Sequence, residues 1–479
     1  MFESKRAVRP KIGVFAIGLA AYWPQFEGLH DRLQRYGAYV EQQMAQWGDV
    51  AAGGMVDSVE KAHETGALFA REQVDIVFVY TATYATSSQV LPVIQVAKAP
   101  TVVLNLQPAA ALDYENATTG EWLANCSACC VPEICMALTR ARLPFKVVSG
   151  ILFDDPSAWN EIREWCLAAK AAHHIRGARF GFLGHTYPGM LDMYSDFTVV
   201  QGQLGSHIEV LEIDDLVARV QDAPADAVRE KIHDIETTFD FAEPTTDPIA
   251  APIEPEDIEW SARVAVGLDA LVKDFDLDAL AYYYRGLAEN ENERTTAGMI
   301  VGNTLLTAQG IPCSGEGDLK NAIAMLIMDR LGCGGSFTEF YALDFVERFV
   351  LMGHDGPGHI AISNQRPILR KLKLYHGKRG FGVSVEFKVQ YGPVTILGVT
   401  QQADSRLKFL VAEGESIAGP TLRVGNTNSR IRFALDPASF ATRWSEAGPT
   451  HHVALGVGAV GKQASKVGYL LGLETMQFA

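Results

Sequence analysis

The first half of the chain alternates short apolar runs with segments in which apolar residues recur at helical spacing. Short runs rich in β-branched residues predict buried strands, and the spaced segments predict helices between them. The predicted strands are residues 11–17, 74–80, 101–106, 145–152 and 178–183. The predicted helices are residues 58–71, 88–97, 121–142, 157–175 and 191–204. This alternation is typical of a parallel sheet covered by helices.

The pattern changes in the second half of the chain. Residues 240–257, rich in Pro, Ala and acidic residues, predict a long connection. Helical spacing returns at 258–274 and 294–308, with an extended run at 280–284 between them. From about residue 360, alternating residues separated by Gly, Asn and Asp turns predict a small antiparallel barrel or sandwich.

These patterns predict two alternating α/β domains of the flavodoxin or Rossmann kind, followed by a β-rich, barrel-like C-terminal domain. The expected N-terminal domain, residues 1–176, lies on the substrate side. The expected central domain comprises residues 177–355, and the β-rich domain comprises residues 356–479.

Composition narrows the classes of partner. The 479 residues are 48% hydrophobic and 20% charged, with a formal net charge of −16. This acidic excess argues against nucleic acid as a partner, and the short basic stretch at 366–373 is better explained as a solvated face. The most apolar early stretch, residues 12–23, is shorter than the roughly 20 residues of a membrane-spanning helix. We therefore expect a soluble, cytoplasmic protein without a membrane partner.

Four of the seven cysteines lie between residues 126 and 135. Cys126 and Cys129 have the C-x-x-C spacing of zinc, iron–sulfur and redox sites. The chain offers no second element of that kind. The favoured interpretation is that these are small apolar thiols in a reduced compartment, packed along a helix.

The stretch "CSGEGDLKNAIAMLIMDRL" places a carboxylate, Glu316, between two glycines and directly before a helical pattern. Asp318 already suits the helix cap, so Glu316 is not needed for capping. Flanking glycines permit unusual backbone conformations and close approach by other groups. Glu316 is therefore a candidate for presenting its carboxylate to a ligand.

Three further stretches carry candidate ligands. Glu339 lies among aromatic residues in "GGSFTEFYALDF", His354 ends an apolar run, and His451 and His452 lie between a turn and a strand. Each residue has a structural alternative: Glu316 as a helix cap or a partner of Lys320, Glu339 as a partly exposed helix residue, and the histidines as core or surface residues. Together, two carboxylates and two imidazoles suit a divalent cation such as Mn²⁺.

Four motifs carry a family resemblance. "SGEGDLKNAIAMLIM", "GGSFTEF", the Gly-His of "LMGHDGPGH" and "GPTHH" resemble, in that order, the motifs of the L-arabinose and L-fucose isomerases. The resemblance implies that Glu316, Glu339, His354 and one of His451 and His452, with His452 favoured, bind Mn²⁺. Co²⁺ and Mg²⁺ are alternatives. It also implies three domains and a homo-oligomer, a trimer or hexamer, with pockets completed at subunit interfaces.

The expected activity is aldose–ketose isomerisation of a pentose, deoxyhexose or substituted hexose. Glu316 and Glu339 are the candidates for moving a proton between adjacent carbons through an enediol. A non-catalytic sugar-binding protein and a metal-dependent hydrolase or lyase on the same scaffold are the alternatives.

The N-terminal region departs from the family motif. Arabinose isomerases carry a histidine followed by Gly-Gly-Arg-Glu, where this chain has Cys129, Pro132 and, as the one retained residue, Glu133. This difference argues against L-arabinose as the substrate. The candidate substrate-binding residues are Tyr22, Trp23, Gln25, Cys129, Glu133, His185, Arg285 and His451.

Overall fold

The computed structural model describes residues 8–287, 289–374 and 382–478. Two units, each with its own sheet and core, divide the chain after His173. The division into three domains stays a prediction. No helix within the described ranges is both long and apolar enough to cross a membrane.

A five-stranded parallel sheet forms the centre of the first unit. Its strands are β1 (Lys11–Ile17), β2 (Asp49–Val56), β3 (Ile76–Thr81), β4 (Thr101–Gln107) and β5 (Phe145–Ile151). Their order, β2-β1-β3-β4-β5, is that of the flavodoxin-like doubly wound fold. The helices are Leu29–Met44, Val59–Glu72, Leu91–Ala97, Thr119–Leu123, Cys130–Arg140 and Pro156–Gly177. The predicted alternating α/β architecture is confirmed.

Local chemistry explains where the predicted elements differ from the observed ones. The predicted helix at 121–142 is wrong as one element, because non-helical residues 124–129 separate two shorter helices. Strand β2, "DVAAGGMV", was not predicted because most of its residues are only partly buried, which weakens the apolar signal.

The second unit begins with a parallel sheet of four strands, in the order β11-β10-β6-β7. These strands are β6 (Arg179–Gly184), β7 (His207–Leu211), β10 (Ala279–Tyr283) and β11 (Cys313–Ser314). Its helices are Phe197–Leu204, Ile213–Gln221, Ala225–Thr238, Pro255–Asp274, Glu291–Ala297, Met299–Ala308 and Leu319–Arg330. The predicted connection at 240–257 contains two-residue strands, β8 (Asp240–Phe241) and β9 (Ala250–Ala251), and the start of a helix.

Six antiparallel strands close into a barrel, as β16-β19-β12-β13-β18-β17 with β17 pairing back to β16. The barrel strands are β12 (Gly334–Asp344), β13 (Phe349–His354), β16 (Gly392–Gln401), β17 (Leu407–Ile417), β18 (Thr427–Phe433) and β19 (Val453–Val457). Strand β20 (Glu474–Phe478) adds in parallel to β17, and the helices Pro437–Glu446 and Gly461–Leu470 complete the region. The predicted barrel is confirmed, and its first two strands carry Glu339 and His354.

A small sheet pairs β14 (Ile368–Leu372) with β15 (Ser384–Glu386), β8 and β9. Its basic residues have acidic or carbonyl partners: Arg370 binds Asp247 and Glu386, and Lys371 binds Asp257.

The helix Leu319–Arg330 is buried at every position. It packs against β10 of the parallel sheet and against β12, β16 and β19 of the barrel. A helix that is enclosed on all sides needs apolar residues on all sides, which explains the sequence "LKNAIAMLIM". Its first turn therefore lies where the parallel sheet meets the barrel, and Glu316 comes just before it.

Candidate metal centre

A short turn, Gly315–Gly317, presents Glu316. Glu316 has a left-handed backbone conformation, with φ of 58°, which is uncommon for a residue with a side chain. Gly317 also has a positive φ, and a Cβ there would lie 2.4 Å from the carbonyl oxygen of His185. The backbone amide of Tyr187 donates to the carbonyl of Glu316 at 2.9 Å. Strain at this turn is held in place by tight packing, as at many functional sites.

The barrel strands bring the other predicted ligands to the same place. Strand β12 lies between β13 and β19, and Glu339 is in register with Gly353, next to His354. His452 immediately precedes β19. Pairing of β12 with the next strand, β13, and with β19, more than 100 residues later in sequence, thus places Glu339, His354 and His452 side by side.

Two carboxylates and three imidazoles converge. The Nε2 atoms of His354 and His452 are 3.2 Å apart, and the Nε2 of His452 is 3.7 Å from Oε2 of Glu316. The Nε2 of His451 lies 3.9 Å from Oε2 of Glu316 and 4.0 Å from Oε2 of Glu339. Two overlapping groups have potential ligand atoms within 4.8 Å of one another: Glu316, His451 and His452, and Glu339, His354 and His452.

Each imidazole is oriented through its other nitrogen. Nδ1 of His452 donates to Asp318 at 3.0 Å, Nδ1 of His451 donates to Asp192 at 2.7 Å, and Nδ1 of His354 donates to the carbonyl of Asp355. The ring of Phe337 packs on His354 and His452, with centroids 4.0 and 4.5 Å away. Such outer partners fix which nitrogen carries a lone pair, and here all three Nε2 atoms face the centre.

Burial sets the electrostatics of the centre. It raises the pKa of Glu316, whose Oε2 is buried without a hydrogen-bond partner. It lowers the pKa of His452 to about 4, so this imidazole is neutral at pH 7. Burial also acts to lower the pKa of His354, but the hydrogen bond and charge of Asp355 and the charge of Glu339 raise it above its ordinary value.

This donor set fits a divalent cation. The Nε2 atoms of His354 and His452 lie 3.2 Å apart, a spacing that requires either a shared proton or a cation between or beside them. Neighbouring ligands of an octahedral ion at about 2.1 Å lie about 3 Å apart, close to the observed spacing. The unpartnered Oε2 of Glu316 is likewise a buried acceptor that a cation would satisfy. Carboxylate oxygens and imidazole nitrogens together suit Mn²⁺ and similar ions.

Two candidate substrate residues, His185 and Arg285, lie in the same unit. His185 donates from Nδ1 to the carbonyl of Thr186 and accepts at Nε2 from the backbone amide of Arg285, at 3.3 Å. Its ring packs against Tyr283, with centroids 5.2 Å apart. The Arg285 side chain is exposed, and its guanidinium makes no ion pair with the residues that the structure describes.

The remaining candidates lie in the first unit, where several make local contacts. Trp23 donates to Asp57 at 2.8 Å, and the amide of Gln25 donates to the carbonyl of Ala21 at 2.6 Å. Glu133 accepts from the hydroxyl of Ser87 at 2.6 Å. The ring of Tyr22 packs edge-on against Phe26.

The cysteines of this unit do not form a metal cluster with the other described residues. All seven cysteines are free, and the sulfurs of Cys126 and Cys129 are 3.0 Å apart. Burial raises the pKa of Cys126 to about 12 and that of Cys130 to about 11. Cys126 and Cys130 are buried, as expected of packed apolar thiols, whereas Cys129 is exposed and Cys135 is partly buried.

Some residues that orient the candidate ligands could not be identified from the sequence. The alternative that Lys320 pairs with Glu316 is wrong, because the Lys320 ammonium binds the loop at residues 193–195 instead. Asp192 was not identified, since it is 259 positions from His451 and nothing near it in sequence marks it. Asp318 caps the helix as predicted, but its second oxygen also holds His452.

Two family models match most of the second unit. Residues 195–334 match the L-arabinose isomerase central domain, and residues 334–474 match the L-arabinose isomerase C-terminal domain. The two matches meet where the barrel begins and cover more than half of the chain.

Individual relatives are distant. An L-arabinose isomerase of Nocardioides sp. (strain ATCC BAA-499 / JS614) is 26% identical over 71% of this chain and 68% of its own length. A sulfoquinovose isomerase of Alkalicoccus urumqiensis is 23% identical over 63% of this chain and 65% of its own. A solved periplasmic solute-binding protein of Actinobacillus succinogenes with bound D-allose shares 13% identity, covering 68% of this chain and 92% of its own. Its TM-score of 0.17 is too low to indicate a common fold.

Proposed function

The chain belongs to the L-arabinose isomerase family, and we propose that it is a metal-dependent aldose–ketose isomerase that works through an enediol. The observation that carries the proposal is the convergence of Glu316 and Glu339 with His354 and His452 around a buried carboxylate oxygen that lacks a partner. The names of the two relatives, an L-arabinose isomerase and a sulfoquinovose isomerase, support the reaction class.

In this proposal Glu316, Glu339, His354 and His452 hold the metal ion. Mn²⁺ is the proposed ion, with Co²⁺ and Mg²⁺ as alternatives, because the donor set mixes carboxylate oxygen with imidazole nitrogen. When bound, such an ion polarises the carbonyl and hydroxyl oxygens on the adjacent carbons of a sugar.

The chain's own carboxylates move the proton. Isomerisation takes a proton from one carbon and returns it to its neighbour, so it needs a base that then acts as an acid. Burial raises the pKa of Glu316 in the metal-free protein and a bound cation would lower it, so Glu316 is a candidate for the transfer because of its position beside Glu339. Glu339 lies across the same space and is the second candidate for the transfer.

The proposed substrate is a pentose, a deoxyhexose or a substituted hexose. The substitutions at Cys129 and Pro132 support a sugar other than L-arabinose, and the sulfoquinovose isomerase relative supports a substituted hexose. The exposed guanidinium of Arg285 suits an anionic substituent. Assembly as a trimer or hexamer is proposed from the family resemblance alone, and the cytoplasmic location stays a prediction.

The deciding experiment incubates the Mn²⁺-loaded protein in D₂O with a panel of aldoses and modified hexoses. We expect a ketose of unchanged skeleton that carries deuterium at the carbon that receives the proton, seen by NMR and mass spectrometry. A product of altered composition would overturn isomerisation in favour of hydrolysis or elimination. Failure to convert any sugar of the panel would also count against the proposal.

The Glu339→Gln variant tests the proton transfer. We expect its turnover to fall at least about 100-fold, because an amide cannot accept the proton. Glu415→Gln, which removes an exposed carboxylate from barrel strand β17, is the matched control and should retain wild-type turnover. Full activity in Glu339→Gln would show that Glu339 does not move the proton.

A further inference from the structure

Asp192 receives two hydrogen bonds from His451 on a single carboxylate oxygen. The backbone amide of His451 donates to Oδ2 at 2.9 Å, and its ring Nδ1 donates to the same atom at 2.7 Å. Two donors from one residue that meet at one oxygen fix both the backbone and the ring plane. A carboxylate only accepts, so the proton of the neutral imidazole is on Nδ1 and the lone pair is on Nε2.

That lone pair points between the two carboxylates of the centre. The Nε2 of His451 is nearly equidistant from Oε2 of Glu316, at 3.9 Å, and Oε2 of Glu339, at 4.0 Å. A hydrogen bond between two side chains that are each about one-third exposed contributes little to stability. The contact between His451 and Asp192 is notable for where it places the imidazole, not for its strength.

Lys320 anchors the loop that carries Asp192. The Lys320 side chain is almost completely buried, with 1% of its surface exposed. Its ammonium donates to the carbonyls of Met193 and Tyr194, at 3.1 and 3.0 Å, and to the hydroxyl of Ser195 at 3.0 Å. A buried lysine with all three donors used holds the loop in one conformation.

The first residues of the helix Leu319–Arg330 therefore position both His451 and His452. Asp318 caps the helix Leu319–Arg330 and binds His452 directly, at 3.0 Å. Lys320, two residues later, reaches His451 through the loop and Asp192. The two rings lie against each other, with centroids 3.9 Å apart.

We propose that Asp192 and Lys320 are positioning residues for His451. Lys320 sets the loop, and Asp192 holds the imidazole as the Nδ1–H tautomer, so that Nε2 is presented to the space between Glu316 and Glu339. His451 is thereby a further nitrogen donor of the centre, beside the four ligands already named. The inference rests on the proposed metal centre.

The first test is made on the metal-free protein and needs no substrate. In protein with ¹⁵N-labelled histidine, assigned with His451→Gln, wild-type His451 should give the ring-nitrogen shifts of a single Nδ1–H tautomer. In Asp192→Ala we expect shifts of a tautomer mixture. The control, Asp196→Ala, removes a carboxylate that instead caps the helix Phe197–Leu204, and it should leave the His451 shifts unchanged.

The second readout is Mn²⁺ affinity by titration calorimetry. Loss of an outer partner of a metal-binding histidine typically weakens affinity 10- to 100-fold, and we expect about that loss in Asp192→Ala. Asp192→Asn retains an oxygen acceptor and should recover part of the affinity. Lys320→Met should weaken affinity in the same direction, whereas Lys231→Met, which breaks a partly buried ion pair with Asp269, should not.

The outcomes separate this proposal from the proposed activity. Wild-type shifts and Mn²⁺ affinity within twofold in Asp192→Ala would overturn the positioning role and leave isomerisation standing. A wild-type protein that converts no sugar, while Asp192→Ala still disturbs the His451 ring and Mn²⁺ binding, would overturn the activity and support the positioning role. If Lys320→Met does not fold, Asp192→Ala alone decides.

Discussion

At the scale of single residues, the candidate centre depends on polar side chains whose burial destabilises the folded protein, because it removes their polar atoms from water. His452 is completely buried, and the loss of hydration lowers its pKa to about 4. Glu316 keeps an unpartnered oxygen in a buried position. Groups of this kind persist at functional sites because packing elsewhere in the molecule offsets the free energy lost on burying them.

The lowered pKa of His452 predicts a pH dependence of stability. Between pH 6.5 and about 4, the unfolded chain binds a proton at this histidine that the folded chain does not, so folding weakens as the pH falls through this window. From pH 7 to pH 5 the loss is about 2 kcal/mol for this group alone. The check is chemical denaturation of metal-free wild-type protein and His452→Gln at both pH values.

In His452→Gln that part of the pH dependence should be absent. His233→Gln, which removes an exposed histidine from the helix Ala225–Thr238, is the matched control for the loss of a histidine. Equal pH dependence in wild type and His452→Gln would contradict a depressed pKa at this site.

The sequence alone reached the residues with a local signal and missed those without one. Glu316 could be identified because it is redundant as a cap and flanked by glycines, and Asp318 because a cap precedes an apolar helix. Asp192 has no such neighbour in sequence. Its relevance arises only from its distance to His451 across the fold, which spacing along the chain does not encode.

At the scale of elements, the turn Gly315–Gly317 and the helix after it set the position of the centre. Strong local patterns, such as the apolar runs of β1 and β4 and the helical spacing of residues 258–274, were predictable from sequence, although the observed helix Pro255–Asp274 begins three residues earlier. The helices Ile213–Gln221 and Ala225–Thr238 were not predicted, although the first has buried apolar residues at helical spacing.

The turn gives a prediction about glycine. Gly317→Ala combines a positive φ with a Cβ only 2.4 Å from the His185 carbonyl, so both strain and a backbone clash oppose it. Gly332→Ala, at the other end of the same helix, has a positive φ but nothing within 4 Å of the added Cβ. We expect about 1 kcal/mol of destabilisation at Gly332 and about 1–3 kcal/mol more at Gly317.

Thermal unfolding of both variants measures the difference, and Mn²⁺ titration reports its effect on the centre. Affinity should fall in Gly317→Ala, because a shift of the turn moves Glu316, and should be unchanged in Gly332→Ala. Similar losses of stability in the two variants would mean that the close approach of His185 does not constrain the turn.

At the scale of the whole molecule, alternation of elements predicted the fold class and a barrel-like C-terminal region, but not which strands pair to close the barrel. Pairing of β16 with β17 closes the barrel of six strands. Strands β12 and β13 also belong to the barrel, but the aromatic residues around Glu339 obscure the alternation that would predict a strand there. Which distant strands pair, and in which register, depends on the packing of complete faces against each other. The family matches supply this information where the pattern of a single chain does not.

The placement of all five converging side chains in the second unit gives the last prediction. That unit has its own core and contains Glu316, Glu339, His354, His451 and His452 together with Asp192, Asp318 and Lys320. A fragment comprising residues 174–479 should therefore bind Mn²⁺ within about threefold of the affinity of the full chain. Calorimetric titration of both proteins, after circular dichroism has established that the fragment is folded, gives the comparison. A folded fragment with no measurable Mn²⁺ binding would mean that residues before 174 complete the ligand set, and the centre would then have to be redrawn.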